Sequence, residues 1–422
     1  MRNPLHVVII GAGLGGLCLA QALKRAGIAF DVYERDPAID SRLQGYRIRI
    51  DSTGQRALAA CLPDELYALF PAAAAQGAGG TRLVTPRLAP APAASAPAGW
   101  HTEPETPDTG SHADLAVNRL TLREILMAGI EDRVHFAHAV DRYRLLPDGR
   151  VHVTFANGAS GSVTGDVLVG ADGIHSAVRA QLVPTAAPVD TGSVCIYGKT
   201  RLPDGGPASG LAQAAALRDT TTVILADGCA AILEDMRFRA DLQALAAHTI
   251  PHGRFTPPDD YFYWAVIGPR ARLGLNDALT PAALASRLPD ALRHVVQGWH
   301  PVLQQLLLDT PQAAVAALPV RGGRPDVPLP AGPVTLLGDA IHPMSPAGGA
   351  GANTALRDAA ALAALLAEHA AAGDEDVTHA LTQYAARMRA WATDAIAASA
   401  RAAAWLFADD DRDTPIDPES VS

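Results

Sequence analysis

Residues 7–16 read Val7-Val8-Ile9-Ile10-Gly11-Ala12-Gly13-Leu14-Gly15-Gly16, an apolar run that breaks directly into spaced glycines. An apolar run without alternation is a strand covered on both faces, the habit of parallel sheets. A helix is expected from about Gly13 to Ala26, ending at Gly27 as C-cap, then a strand Ala29–Tyr33 that stops at Glu34. This is a βαβ opening of about 30 residues. Gly11 permits the tight turn, Gly13 the close approach of a pyrophosphate, and Gly16 the packing of helix on strand. The helix N-terminus then meets the phosphate charge. Glu34, 18 residues past Gly16, stands where a carboxylate accepts both ribose hydroxyls. The motif does not by itself separate NAD from FAD, and a tight turn without ligand is the competing reading.

Two later glycine patterns decide between the dinucleotides. One is Gly170-Ala171-Asp172-Gly173-Ile174-His175-Ser176-Ala177-Val178-Arg179, again after a buried strand, Val167–Val169. Asp172 and Gly173 are candidates for the cofactor, while Asp172 reads equally as a helix N-cap. The other follows strand Val334–Leu337: Gly338-Asp339, His342-Pro343, Pro346, then Gly348-Gly349-Ala350-Gly351-Ala352-Asn353. Asp339 at a sheet edge suits ribitol hydroxyls. Gly349, Gly351, Ala352 and Asn353 bring a helix N-terminus to the ligand, where its positive end stabilises the negative N1–C2=O edge of a reduced flavin. NAD needs no such second site far along the chain. FAD, bound non-covalently, is therefore the expected cofactor.

The rest of the chain bounds the answer. With 422 residues, two domains are expected, possibly interleaved. A hydrophobic content of 49% with 18% charged residues is globular, and a net charge of -10 argues against nucleic-acid or anionic-membrane surfaces. Lysine occurs only at Lys24 and Lys199. Cys18, Cys61, Cys195 and Cys229 lack metal or C-x-x-C spacing and read as small buried hydrophobes of a reducing cytoplasm. The short apolar N-terminal run leads into a glycine turn, so it reads as a strand rather than a signal peptide. No membrane span is expected. Helices are expected at Ser52–Ala60, Pro63–Phe70, from Asn118 to about Ala128, Pro281–Val296 and Pro301–Leu308. Residues 71–112, rich in Ala and Pro, read as an exposed insertion with one short strand at Thr81–Val84. Strands are expected at Val134–Phe136, Val140–Leu145 and Val151–Phe155. A β-rich stretch follows, with Val194–Tyr197, Thr221–Leu225, Ala230–Leu233 and Tyr261–Ile267. A long helix starts near Asn353 and a final one spans about Val377–Phe407, before an acidic tail expected to be disordered.

With these motifs in this order, the chain resembles the class A, single-component FAD-dependent aromatic hydroxylases, of which para-hydroxybenzoate hydroxylase is the type. The likeness rests on G-x-G-x-x-G with Glu34-Arg35, on D-G-x-x-S-x-x-R at Asp172–Arg179, and on G-D-A-x-H-P at Gly338–Pro343, and covers most of residues 1–370. The segments Arg42 to Asp51 and Asn118 to Arg123 also resemble the tetracycline-inactivating and natural-product tailoring branch. The resemblance implies an α/β fold: a Rossmann-like FAD domain interleaved with a β-sheet substrate domain, plus a long C-terminal helix. The segments are then 1–75, 115–185 and 319–372 for FAD, 76–114 and 186–318 for substrate, 373–407 for the helix and 408–422 for the tail. It further implies that Arg119 contacts FAD together with Leu14, Gly15 and Arg35, and that Arg42 lies beside a mobile flavin and meets NADPH. Replacing Arg42 with Ala should then raise the apparent KM for NADPH; an unchanged KM removes that role.

The family's chemistry implies reduction of FAD by NADPH or NADH, transient at its site because no second nucleotide fold is present. Oxygen then adds to form a flavin C4a-hydroperoxide, which oxygenates an aromatic or polyketide-like small molecule. Pro343, Met344 and Pro346 are candidate walls that exclude water, and equally ordinary loop residues. His252, Tyr261 and Tyr263 are base candidates with no feature selecting one. Tyr261 and Tyr263 share a strand face. The arginines Arg42, Arg47, Arg49 and Arg56 either face cofactor phosphates or form a solvated face, with only Asp51 nearby to offset them. Two other readings compete: a flavin-dependent halogenase and a FAD-retaining binding protein. The first lacks W-x-W-x-I-P and a well-placed lysine, since Lys24 sits in the first helix and Lys199 on an unsuited element; the second would need damaged cofactor motifs. Substrate and oligomeric state have no signature in the chain.

Overall fold

The computed structural model describes residues 5–41, 46–76, 80–91, 113–156, 161–201, 217–250, 253–275, 280–373 and 376–408. Arg42, His252, the body of the Ala/Pro-rich insertion and the tail from 409 onward lie outside the described residues, so the expectations for them are not addressed by it.

From the N-terminus the chain forms β1 (His6–Ile10), α1 (Leu14–Arg25), β2 (Ala29–Tyr33), β3 (Arg47–Ile50), α2 (Ser52–Cys61), α3 (Asp64–Ala72), β4 (Thr81–Val84), β5 (Leu115–Asn118) and α4 (Arg119–Met127). It continues with β6 (Val134–His135), β7 (Val140–Leu145), β8 (Val151–Phe155), β9 (Ser162–Gly165), β10 (Val167–Gly170) and α5 (Ala177–Leu182). Then come β11 (Val189–Arg201), β12 (Thr221–Ala226), β13 (Cys229–Met236), α6 (Leu242–Ala246) and β14 (Tyr261–Pro269). The last are α7 (Pro281–Val295), α8 (Pro301–Leu308), β15 (Val315–Gly322), β16 (Val334–Leu336), α9 (Gly351–Ala372) and α10 (Thr378–Leu406).

Two sheets organise these elements. A parallel sheet runs β16-β10-β1-β2-β6, so the strands that precede all three glycine patterns are neighbours. A six-stranded sheet runs β15-β11-β14-β13-β12-β4 and is antiparallel except for the β12–β4 pair. β1 reads as expected because it is interior: Val7, Val8 and Ile9 are fully buried, between β2 and β10 and against α1. Strand alternation splits the six-stranded sheet into two faces. Phe262 and Trp264 point into a core closed by α7 and α8, where Trp264 Nε1 donates to Thr310 Oγ1 at 2.9 Å. Tyr261 and Tyr263 share the opposite face, as the period of two requires, with Tyr46, Tyr197, Ala347 and the end of α10.

Three differences from the expectations have physical causes. Arg47–Ile50 is a strand, paired antiparallel to Leu115–Asn118, although its arginines suggested a solvated face. Val315–Gly322 is also a strand despite Pro319; it sits at a sheet edge, where proline's missing N–H is tolerated. It carries the six-stranded sheet to Gly322, across the boundary expected at 318/319. β11 begins at Val189 rather than Val194, because a register shift between Asp190 and Val194 with Gly192 at φ +77° interrupts its alternation. All four cysteines are buried and unbridged. Among the described residues, no helix is long and apolar enough to cross a membrane.

Candidate functional site

Adjacent strands bring the three glycine patterns into contact. The Ala171 amide donates to Ile10 O at 2.7 Å and the Leu337 amide to Gly170 O at 3.0 Å. A side chain at Gly11, which holds φ +108°, would lie 2.3 Å from Ala171 O, and one at Gly16 would lie 2.1 Å from Gly11 O. One at Gly15 would strike Leu337 of the third pattern. Gly11 and Gly16 are required by backbone meeting backbone, Gly15 by the Leu337 side chain. Gly13 differs: a Cβ there would meet nothing within 4 Å, and the same is true of Gly173 and Gly349. Open space thus lies over one glycine of each pattern.

The N-termini of α1 and α9, next to Gly13 and Gly349, also differ from most other helix starts. α2, α4, α5, α7 and α8 each carry a side-chain N-cap: Asp51, Asn118, Ser176, Thr280 and His300. α1 begins at Gly13, and α9 at Ala350 after Gly349 (φ +62°), both without one. Their first-turn amides, those of Leu14, Gly15 and Gly16 and of Gly351, Ala352 and Asn353, are left to water or a ligand.

Around this frame the expected site residues take distinct roles. Glu34 holds the glycine loop: Oε2 accepts from the Ala12 amide at 2.8 Å and Oε1 from the Asp36 amide at 3.0 Å. Each oxygen keeps a second lone pair for a hydroxyl. Arg35 beside it is exposed. Ser176, not Asp172, is the N-cap of α5; Asp172 Oδ2 accepts from the amides of Ala177 and Val178 from outside the helix, whereas Oδ1 is buried with no hydrogen-bond partner. Burial pushes this carboxyl's pKa up, against those hydrogen bonds. Arg179 donates to Ala340 O at 2.9 Å and so ties the second pattern to the third.

Asp339 is solvent-accessible although protein surrounds it closely. Burial raises its pKa, opposed by His342 and by Arg119. Arg119 is itself lowered by burial, with Asp339 and Tyr197 pulling the other way. Arg119 and Asp339 are thus brought together. The Asn353 side chain does not face the open space: it donates to Arg49 O and Gly349 O and accepts from the Asp51 amide, joining α9 to β3 and α2. Its backbone amide, in the uncapped first turn of α9, is left for water or a ligand. Pro346 is exposed, Met344 half-buried and Pro343 buried, its carbonyl accepting from the Gly323 amide.

Two members of the arginine cluster, Arg47 and Arg49, resolve differently from either reading, while Arg56 is exposed as a solvated face requires. Arg47 forms an ion pair with Glu234 and lies 5.8 Å from the Tyr263 ring centroid; Arg49 pairs with Asp114 at 2.8 Å. Their acids lie too far along the chain to be seen from local spacing. Arg56 lines a groove of about 460 Å³ with Arg357 and Trp391. The scattered arginines of the β-rich stretch are also engaged, Arg201 with Asp259 and Arg237 with Asp235.

Several residues escaped the sequence reading. Arg123 donates twice to Ala12 O, at 3.1 and 3.0 Å, and once to Ile39 O, clamping the first glycine loop. Its spacing of four from Arg119 was the available signal, since i and i+4 share a helix face. Asp358 is fully buried and accepts from the Gly338 amide at 2.9 Å, from Trp391 Nε1 at 2.8 Å and from His342 Nε2 at 2.5 Å. A carboxylate on the Leu362 and Leu365 face of an apolar helix was its signal. Lys199, placed on an unsuited element by the sequence, projects from β11 to the same sheet face as Tyr197, Tyr261 and Tyr263. Its ammonium lies 5.0 Å from the Tyr46 ring centroid and 5.6 Å from that of Tyr261.

This arrangement fits FAD. A Cβ-free approach over Gly13, two uncapped helix ends, an open carboxylate at Asp339 and an orphaned Asp172 oxygen are the features a long dinucleotide with an anionic middle requires.

Comparison with known proteins agrees. A FAD binding domain family matches residues 289–399, and an NAD(P)-binding Rossmann-like domain family matches residues 9–52. The dual O-methyltransferase/FAD-dependent monooxygenase CTB3 of Cercospora beticola is 37% identical over 91% of this chain; the chain spans only 44% of that protein's length. The aurachin C monooxygenase/isomerase of Stigmatella aurantiaca is 30% identical, over 95% of this chain and 89% of its own. A crystal structure from Photorhabdus luminescens, assigned as a FAD-containing monooxygenase, superposes with a TM-score of 0.73 at 30% identity, covering 96% of this chain and 98% of that one.

Proposed function

The chain belongs to the FAD-dependent monooxygenases, with the fold of the class A aromatic hydroxylases, and from that premise we propose that it inserts one atom of O₂ into an aromatic or polyketide-like small molecule, using NADPH or NADH as reductant. The observation that carries this reading is the gathering of three separated glycine patterns by adjacent parallel strands, with room over Gly13, Gly173 and Gly349. We assign the FAD-holding part to residues 1–75, 115–185 and 323–372 and the substrate-facing part to 76–114 and 186–322, placing the boundary after β15.

In this proposal the amides of Leu14, Gly15 and Gly16 receive the pyrophosphate, Glu34 the adenosine ribose, and Asp339 the ribitol chain. The α9 N-terminus faces the pyrimidine edge of the flavin, where negative charge develops on reduction. Bound FAD supplies the redox and oxygen chemistry. The protein's own share is positioning and dryness. Arg123 and Arg179 fix the loops by donating to Ala12 O and Ala340 O. The tyrosine-rich sheet face, with Trp405 and Phe407 from the α10 end, provides an apolar wall against water.

The test uses the full-length protein. It should emerge yellow, and NAD(P)H should bleach the flavin under anaerobic conditions, faster when a true aromatic substrate is present. A colourless protein that does not take up FAD removes the reading. A yellow protein that no pyridine nucleotide reduces, with any ligand, establishes a FAD-retaining binding protein instead.

A further inference from the structure

Away from the glycine loops, α2, α9 and α10 border the surface groove of about 460 Å³ that Arg56, Arg357 and Trp391 line. Its size falls among small-molecule sites, roughly 300–1,000 Å³. Thr53, Arg56 and Ala60 recur at three and four residues along α2, as Arg357, Ala360 and Ala361 do along α9, so each helix offers it one face. The chain carries a net charge of -10, yet no carboxylate lines this groove among the described residues. Neither arginine forms an ion pair with a described residue. The groove therefore gathers two positive charges that nothing in the described chain neutralises.

Both guanidinium groups are nevertheless held in place, by uncharged partners. Arg357 lies 4.3 Å from the Trp391 ring centroid, and Trp391 Nε1 donates to the buried Asp358 at 2.8 Å, which fixes the indole. Arg56 Nη2 donates to Thr53 Oγ1, one turn back, at 3.2 Å. A guanidinium has five N–H donors, so most of them remain for water or a ligand. The last carbonyls of α2 would oppose an anion here, but Arg25 Nη1 donates to Ala60 O at 3.0 Å and to Leu62 O at 2.6 Å. Charge that is positioned in advance and left uncompensated binds an anion at low ordering cost. Two such groups match a phosphate monoester, about −1.5 to −2 near neutral pH, better than a single carboxylate. Guanidinium forks take phosphate oxygens in pairs and stack on aromatic planes. Ala57, Ala360 and Ala361 present only a methyl each, which leaves flat room beside the arginines.

We propose that this groove binds a phosphorylated nucleoside, with its phosphate on Arg56 and Arg357 and its base along the alanine floor. Two sources carry that group: a free nucleotide, and the adenosine 2′-phosphate end of NADPH. The site goes beyond the oxygenase reading and stands independently of it.

The test is calorimetric titration of the FAD-loaded, oxidised protein with adenosine 2′-monophosphate, adenosine 5′-monophosphate, adenosine, NADP⁺ and NAD⁺. At least one monophosphate should bind tenfold or more tightly than adenosine. Arg56→Gln and Arg357→Gln should each weaken that binding at least fivefold and leave adenosine within twofold. Arg401→Gln, at an exposed position ten residues along α10 from Trp391, should change neither. NADP⁺ that outbinds NAD⁺ tenfold, and loses this advantage in Arg56→Gln, identifies the end of the reductant as the ligand. NADP⁺ binding indifferent to Arg56→Gln, beside a monophosphate that responds to it, identifies a free nucleotide. Adenosine binding as tightly as both monophosphates, no binding of either monophosphate, or an undiminished preference in Arg56→Gln overturns the site. Should Arg357→Gln shed FAD, through Trp391 and Asp358, the exposed Arg56 decides alone. A protein that never holds FAD sinks the oxygenase reading, and the same comparison of wild type with Arg56→Gln still decides the groove.

Discussion

Replacing Gly11 by valine should yield a protein that is mostly colourless and strongly destabilised, by on the order of 4 kcal/mol. Two costs add. A β-branched residue at φ +108° is outside its allowed backbone range, and its Cβ would sit 2.3 Å from Ala171 O, an immobile backbone atom between two strands. Such a loss is a large share of the ~5–15 kcal/mol that holds a domain together. Gly13→Ala is the informative contrast. Gly13 has φ -76° and open space where the methyl would go, so the apoprotein should unfold within about 0.5 kcal/mol of wild type. Its FAD affinity should nevertheless fall by tenfold or more, about 1.4 kcal/mol, because that space is where the pyrophosphate approaches. Thermal unfolding of apoprotein together with the flavin-to-protein absorbance ratio separates the two. Full FAD occupancy in Gly13→Ala would remove the phosphate role from this loop.

The second large effect is expected at Asp358. Asp358→Ala leaves the Gly338 amide, Trp391 Nε1 and buried His342 without their acceptor, and removing one partner of a buried pair costs about 3–5 kcal/mol. FAD should dissociate more readily as well, since Gly338 opens the loop that carries Asp339. The pair also sets a pH dependence. Burial alone would lower the His342 pKa, but the charge and hydrogen bond of Asp358, with Asp339 behind it, raise it above 6.5. A raised imidazole contributes stability fully below its unfolded value, and that contribution is lost as pH rises through the folded value. The stability gap between wild type and His342→Gln should therefore be widest below pH 6.5 and narrow under alkaline conditions. A gap constant across this range, measured by denaturant unfolding, would show that His342 does not titrate in the folded protein.

The cofactor half of this molecule was largely readable in the chain because its determinants are local. β2 falls at the expected residues, and α1 within a residue of its expected ends, since an apolar run, a glycine turn and a C-cap each act within a few positions. In the six-stranded sheet and its helices most elements were legible, β4 and α8 at the expected residues, but the pairings between them were not. Arg47 looked like surface charge because Glu234 lies far downstream, and Lys199 looked misplaced because neither its face nor Tyr46 is visible before the strands are registered. Asp172 shows the middle case: the sequence offered it as a helix N-cap, but Ser176 takes that place, and Asp172 Oδ2 reaches the first helical amides while Oδ1 is left unpartnered. Pairings across the chain, not residue types, build the tyrosine-bearing sheet face.

The order of strands in the parallel sheet has a consequence for biosynthesis. Val7 pairs with Val167, and β10 in turn waits for Val334. At ribosomal rates of about 5–20 residues per second, β1 spends roughly ten to thirty seconds without its central neighbour. During that interval an apolar edge, Val7 to Ile10, is available to any other nascent strand. Early aggregation should therefore compete with folding most at high expression, and slowing initiation or lowering temperature should recover more protein than adding flavin to the medium.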